Sequence, residues 1–398
     1  MKWPQASLGD LCLFGPQYGA NAPAIERSGN RSRYVRITDI TANGRLLSKG
    51  EVEADLADET EFKLHEGDLL FARSGNTVGK TYCYDPEDGP CVFAGYLIRF
   101  RLNEELMHRR FAFYFTQSVP YQNWLLTKRR VAGQPNVNGK EYASLKVPLP
   151  SLSEQRRIVA LLEQADALRR RRADADSLAE RVLPALFRKM FGDPERNLQG
   201  RPTEQFERTC EDVTAGQQKT QRKDYLAEGA HPIVDQGQEF VAGYTNDSSA
   251  LYSGELPVIA FGDHTRLFKF VDFPFGIGAD GVRLFHPTPA FLPHFFFWQV
   301  SLLNIPSAGY SRHYKYLRRK RLIRPPLEQQ TAFDKSAVHC NNLVAEFESA
   351  ATNIETLFQT LLHRAFTGEL TAGWREAHMK ELLAEMEIQA RHLASAQA

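Results

Sequence analysis

Three short stretches carry the side chains best suited to touching a phosphate or a base edge. The first is Arg73-Ser74-Gly75-Asn76-Thr77-Val78-Gly79-Lys80-Thr81. Its glycines and its Lys-Thr ending suggest a phosphate-binding loop. That motif, however, has four residues between its glycines, and this one has three. Tyr82-Cys83-Tyr84-Asp85-Pro86 follows where a phosphate-capping helix should begin. Taken as a glycine-rich turn, the stretch offers Arg73, Asn76, Thr77 and Lys80 to phosphates or base edges. The plain alternative is a hairpin turn with solvated polar residues. The second stretch, Gly309 to Arg321, is the densest basic run; it holds no acid and interleaves three tyrosines. Arginine and lysine neutralise phosphates, and arginine can read guanine bidentately. Arg312, His313, Tyr314 and Lys315 are its candidate contacts, against the alternative of a solvated surface strand. The third is Gly262-Asp263-His264-Thr265-Arg266. One Asp beside one His cannot hold a metal without distant ligands, so His264 reads as a polar contact. Tyr225, Asp235, Gln236, Gly237 and Gln238 are further polar loop residues that could line the same face.

Catalytic motifs are missing from this reading. The chain shows no nucleophile elbow, no glycine-rich cofactor loop, no Asn-Pro-Pro-aromatic methyltransferase motif and no carboxylate–lysine nuclease constellation. The net charge of +1 means that any basic surface must be local. The five cysteines are scattered without a CxxC pair, which fits a reducing cytoplasm with buried thiols. Met1-Lys2-Trp3-Pro4-Gln5 has no apolar run and is not a signal peptide. Phe291 to Leu303 is the most apolar stretch, but Pro293, His294 and Gln299 interrupt it. It is too short to span a bilayer and reads as a core helix, so no membrane role is expected.

The elements that would position these residues repeat. Residues 1–149 form a first β-rich globule, with strand-like runs at Tyr34–Ile37, Leu69–Ala72 and Phe93–Arg101 and an aromatic helical stretch from Phe111 to Leu126. Residues 150–194 form a long helix with Ser151 or Ser153 as N-cap and Glu154 in the first turn. Ile158, Leu161, Ala165, Leu168, Arg172, Ala175, Ala179, Val182 and Leu186 step by threes and fours as a heptad seam. Pro184 predicts a kink or break near Leu183. Residues 195–324 repeat the β-rich character, and residues 325–398 hold a second long helix and a tail. The second seam runs Phe333, Ala337, Cys340, Val344, Phe347, Ala351, Ile354, Phe358, Leu361 and Ala365. The tail, from Trp374 to about Ser395, reads as one more helix. Lys128-Arg129-Arg130 precedes the first long helix much as the basic run precedes the second, which adds Arg129 and Arg130 to the candidate contacts.

Pro150-Ser151-Leu152-Ser153-Glu154-Gln155 opens the first long helix, and Pro325-Pro326-Leu327-Glu328-Gln329-Gln330 opens the second, 175 positions later. Phe191 matches Phe366 at the same offset. Globule, helix, globule, helix is a duplicated object, and approximate two-folds suit the two halves of a DNA site. The predicted fold class is α+β, with two β-rich domains separated by two long helices packed as an antiparallel coiled coil. A helix of roughly 35 residues is about 50 Å long. That is enough to hold two readers one duplex turn, about 34 Å, apart.

This pattern resembles the specificity subunit of Type I restriction–modification systems along nearly the whole chain. The repeated phrases resemble the openings of that family's central and distal conserved helices, and Phe187 to Pro194 resembles the end of the central one. Tyr34–Ile40, Gly67–Leu70 and Ser74–Lys80 resemble motifs of target-recognition domains. Pro232–Gly237, Phe261–Thr265 and Gly309–Tyr314 resemble motifs of another target-recognition subtype. Two features depart from the likeness between the helices. The second opens more polar, and Arg169, Arg172 and Asp176 fall in register with Val344, Phe347 and Ala351, so the helices need not bind partners equally.

The resemblance implies a non-catalytic reader of a bipartite, asymmetric site in double-stranded DNA. It implies two modification subunits that carry S-adenosylmethionine and methylate adenine, and motor–nuclease subunits that use ATP and magnesium. No cofactor is expected on this chain itself. Ile158, Leu161, Phe187, Phe191, Phe333, Phe347, Phe358 and Phe366 are the candidate partner contacts on the helices. Two rivals are a nucleotide hydrolase using the Gly75–Thr81 loop and a non-specific DNA-binding coiled-coil scaffold or regulator.

Overall fold

Helices Leu152–Phe191 and Leu327–Thr367 are the longest elements of the chain. The structure, a computed structural model, describes all residues except 1, 2, 48, 129–134, 280, 308, 310, 311 and 398, and all their side chains except those of 345, 348, 349 and 395–397. The chain forms two compact units: residues 1–170 with 351–398, and residues 171–350. Each long helix is therefore shared between them. In unit 1, Ile158, Leu162 and Ala165 from the start of the first helix join Phe358, Leu362 and Ala365 from the end of the second in one core. In unit 2, Leu183, Phe187 and Phe191 from the end of the first helix join Phe333 and Ala337 from the start of the second. In both units the paired segments run antiparallel.

The seam of the first helix departs from expectation at alternate positions. Leu168 and Val182 are 44% and 47% exposed. The inward places belong to Leu162, Arg169, Leu183 and Phe187 instead. Arg169 can hold such a place because its guanidinium lies 4.1 Å from the Phe358 ring centroid and its Nε donates to Glu355 at 2.8 Å. An aromatic face receives a cation, so an apolar residue is not required there. The helix also continues through Pro184 rather than breaking at Leu183. Proline removes one helical bond at a cost of about 3 kcal/mol. Burial of Leu183, Phe187 and Phe191 around it contributes about 1.5–3 kcal/mol each, which wins.

The repeated phrase has one physical purpose in both units. Gln155 Oε1 accepts from His108 N at 2.7 Å, and its Nε2 donates to Leu106 O (3.1 Å) and Pro150 O (2.9 Å). Gln330 Oε1 accepts from Leu292 N at 2.9 Å, and its Nε2 donates to Ala290 O and Pro325 O, both at 3.0 Å. His108 and Leu292 are the N-caps of the short helices Arg109–Phe115 and Pro293–Ser301. One buried carboxamide thus ties the first turn of each long helix to an otherwise orphaned N–H of its globule's own helix.

The β-layers follow a shared plan. Unit 1 has an antiparallel sheet ordered Gln17–Tyr18, Leu97–Arg101, Asp68–Ala72, Thr81–Cys83. Unit 2 has the counterpart Cys210–Asp212, Val282–Pro287, Val258–Gly262, Phe268–Val271. A two-stranded ribbon closes each globule, Gln5–Ser7 with Lys146–Pro148 and Thr203–Gln205 with Arg321–Ile323. The remaining four-stranded sheets differ. Cys91–Phe93 is an edge strand in the first, while the corresponding Gly276–Gly278 lies inside the second.

The tail is two helices, Ala372–Ala377 and Met379–Gln397, rather than one. It packs on unit 1. Glu154 is buried and accepts from Trp3 Nε1 (3.0 Å), Thr371 Oγ1 (2.6 Å) and Arg375 Nε (2.7 Å). Gln389 Nε2 donates to Leu106 O at 3.0 Å and Pro150 O at 3.3 Å, the same carbonyls that Gln155 holds.

Candidate nucleic-acid interface

The Arg73–Thr81 stretch joins two antiparallel strands, with Leu69 opposite Cys83 and Phe71 opposite Thr81. A strand therefore stands where a phosphate-capping helix would, and the stretch is a hairpin turn with a short 3-10 segment, Gly75–Thr77. Arg73 is fixed by its backbone: its N donates to Tyr96 O at 3.0 Å and its O accepts from Val137 N at 2.9 Å. Its guanidinium lies 4.9 Å from the Tyr18 ring centroid. Asn76 is exposed on the turn. Thr77 Oγ1 donates back to Ser74 O at 3.0 Å. Lys80 faces elsewhere, donating to Ile40 O at 2.9 Å and lining a 230 Å³ cavity with Gln117, Gln122 and Arg169. Gly75 N donates to Pro135 O at 3.0 Å, which brings the segment around Asn136 against the turn. Arg129 and Arg130 lie outside the described residues.

His264 sits on the equivalent turn of unit 2. Strands Val258–Gly262 and Phe268–Val271 correspond in sheet position to Asp68–Ala72 and Thr81–Cys83. The residue after the first strand is Arg73 in one unit and Asp263 in the other. Asp263 O accepts from His313 N at 2.9 Å, just as Arg73 O accepts from Val137 N. The two turns are thus one topological feature with different side chains.

This bonding corrects part of the expected contact set. His313 is 1% exposed, and its Nδ1 donates to Asp263 O at 2.8 Å. Its imidazole holds the turn and does not face solvent. Tyr314 N donates to Asp263 Oδ1 at 2.7 Å. Its half-buried ring stacks on Phe285 with the Arg283 guanidinium 3.9 Å from its centroid, and burial raises its phenol pKa. Farther along the basic run, Arg318 pairs with Glu207 and Lys320 with Glu195, while Arg321 Nε donates to Thr203 at 2.9 Å. Arg312, Lys315 and His264 are exposed.

Behind His264 lies a 440 Å³ cavity lined by Arg222, Tyr225, Asp235, Gln236, Gln238 and Thr265, among others. The structure brings together the polar loop residues grouped with His264 by sequence. Arg222 was missed, although the Lys219–Lys223 stretch with its three cations was a usable signal. Lys269 was missed for a better reason: it is buried under the loop, and nothing in a strand of alternating Phe and Lys announces that.

The helix candidates divide similarly. Ile158, Phe187, Phe191, Phe333 and Phe358 fill the chain's own cores, so their side chains are not available to a partner. The sequence pattern could not separate an intramolecular seam from an intermolecular one. Leu161 and Phe366 are half-buried, and Phe347 is 45% exposed.

Two units of partly common strand order, each with its own antiparallel pair of helix segments and each carrying a different polar turn, define a duplicated scaffold. Residues 2–174 match the family model for the Type I restriction modification DNA specificity domain. The chain is 28% identical over 174 residues to the specificity subunit of the Type I restriction enzyme EcoKI of Escherichia coli (strain K12), covering 43% of this chain and 34% of that protein. It is 35% identical over 63 residues, 16% of each chain, to the specificity subunit of EcoR124I/EcoR124II of Escherichia coli. The matches thus span about a third or less of those relatives' length. In fold it is similar to the crystal structure of a Type-I restriction-modification system S subunit from M. genitalium, with a TM-score of 0.56, 14% identity and coverage of 92% of this chain and 96% of that one. A chain from work on complex assembly and conformational transition of the type I R-M system gives a TM-score of 0.51 at 20% identity, covering 93% and 98%. Residues 2–174 thus match a Type I restriction modification DNA specificity domain, and the chain as a whole shares the fold of those S-subunit structures.

Proposed function

We propose that this chain is the non-catalytic reader of a bipartite, asymmetric DNA site, with one half read by each unit. The observation that carries the reading is the pair of equivalent turns. The backbone tie at Arg73 O and Asp263 O is kept, while the side chains around it are exchanged. Retained framework with altered surface is what unlike half-sites require, because phosphate contacts position a protein and base-edge contacts specify sequence. Arg73, Asn76 and Thr77 form the contact set of unit 1, with Arg312, Lys315 and His264 in unit 2. Lys80 is a further cation of unit 1, and Arg129 and Arg130 stay candidates from sequence alone.

The same reading has two modification subunits, and motor–nuclease subunits where the system restricts, docking along exposed faces of the long helices. Phe347, Leu161 and Phe366 remain candidates for that contact. S-adenosylmethionine, ATP and magnesium then belong to the partners. Flipping of a target base by a methyltransferase requires the duplex to be held in register meanwhile. The test is the methylation motif left in DNA by the assembled complex. A two-part motif that disappears on deletion of this chain is expected. Equal binding of any scrambled duplex, with no motif, would replace this reading with that of a non-specific scaffold.

A further inference from the structure

Gln236 sits on a loop that is held unusually firmly for a surface segment. Lys269 is 6% exposed beneath it, and its ammonium donates to Asp235 O at 2.7 Å and Glu239 O at 2.6 Å. A buried ammonium is costly unless it is fully bonded, so these carbonyls are fixed. Asp235 Oδ1 in turn accepts from Gly237 N at 2.7 Å. The side chain of Gln236 crosses to the hairpin turn, where its Oε1 accepts from the backbone N of His264 at 3.2 Å. Two glycines make room for it. A Cβ on Gly281, whose φ is +77°, would meet Gln236 Oε1 at 2.6 Å. A Cβ on Gly262 would come within 3.0 Å of Gln236 Cβ.

The orientation of this carboxamide follows from its partner. A backbone N–H can only donate, so the oxygen must face it and the nitrogen must not. What Gln236 still offers the 440 Å³ cavity it lines is therefore the Nε2 amino group, which only donates. We propose that Gln236 is the specificity-determining residue of unit 2, selecting a base whose major-groove edge presents an acceptor. Adenine N7, guanine N7 and O6, and thymine O4 qualify; cytosine, which presents only its N4 donor there, is rejected. This assignment rests on the DNA-recognition reading above and gives it a chemical preference.

The experiment compares the full-length chain, in its assembled complex, as wild type, Gln236→Glu and Gln236→Leu. Each is offered a library of randomised duplexes, and the recovered sequences are read. The wild type should show one position that excludes cytosine. Gln236→Glu keeps one oxygen on His264 N and presents a second acceptor, so that same position should move to cytosine or adenine. Gln236→Leu should lose about tenfold discrimination there while the other half-site stays unchanged. Thermal melting of the leucine variant, expected to match wild type, guards against a folding artefact if the charged variant fails to fold. An unchanged motif in both variants overturns this assignment and leaves DNA recognition standing. A wild type that enriches no sequence overturns the recognition reading and this assignment with it.

Discussion

Replacing the clamp glutamines by leucine should affect the two units unequally. Gln155→Leu strands one buried donor, His108 N, and withdraws Nε2 from Leu106 O and Pro150 O. Those two carbonyls keep Gln389 Nε2, which is itself 4% exposed. The loss should be that of one unsatisfied group, about 1–3 kcal/mol. Gln330→Leu strands Leu292 N in the same way. Among the described residues no other side chain donates to Ala290 O or Pro325 O. The loss should then be larger, about 2–5 kcal/mol. Hydrogen exchange of peptides spanning 106–115 and 290–301 reports each N-cap amide locally, which avoids treating a two-unit chain as one transition. Adding Gln389→Leu to Gln155→Leu should cost more than the sum of the single changes, by about 1 kcal/mol. Equal losses under about 0.5 kcal/mol in both units, with no coupling to Gln389, would refute the clamp as a source of stability.

Further outcomes follow from other buried groups. Glu154→Gln leaves the buried Arg375 guanidinium without its carboxylate and should lower the stability of unit 1 by about 3 kcal/mol, with partial recovery on adding Arg375→Leu, as read by urea unfolding. Burial, and secondarily Arg109, lowers the pKa of His108. The unfolded chain then takes up the proton first, so the stability contribution is complete above about pH 6.5 and declines as pH falls below it; melting temperatures of His108→Gln should be flatter across that range. Arg312→Ala should weaken DNA binding by about 1–3 kcal/mol at unchanged melting temperature. His313→Ala should instead lower the melting temperature, since its imidazole bonds Asp263 O; anisotropy titration and melting of the two variants together distinguish a contact from a strut.

Much of the frame was legible in the sequence because its signals are local and periodic. Helix positions follow from a 3.6-residue period and from phrases such as Pro150–Gln155, and the carboxamide at Gln155 and Gln330 marks the same joint twice. The seam was misread where Arg169 replaces an apolar residue, because a pattern search rewards Leu168 and cannot see the Phe358 ring across the helix pair. The tail reads in the sequence only as one more helix, with no partner named. Its true partners, Glu154 and the Leu106 and Pro150 carbonyls, lie more than 200 positions away.

The candidate site divides along the same line. Sequence by itself determined that the chain is duplicated, that its globules differ in their polar loops, and that its strongest cations gather between Gly309 and Arg321. Only the tertiary structure decided which of the charged and polar side chains in that run are already paired within the chain. Arg318 and Lys320 are taken by Glu207 and Glu195, and His313 by Asp263, at separations of 111, 125 and 50 residues. Only the tertiary structure, too, made Arg73 and Asp263 equivalent, since the carbonyl that each presents is a backbone group and leaves no trace in residue identity. Periodicity reports the face a residue takes on its own element; the partner that claims its charge is set by long-range pairing, which no local pattern encodes.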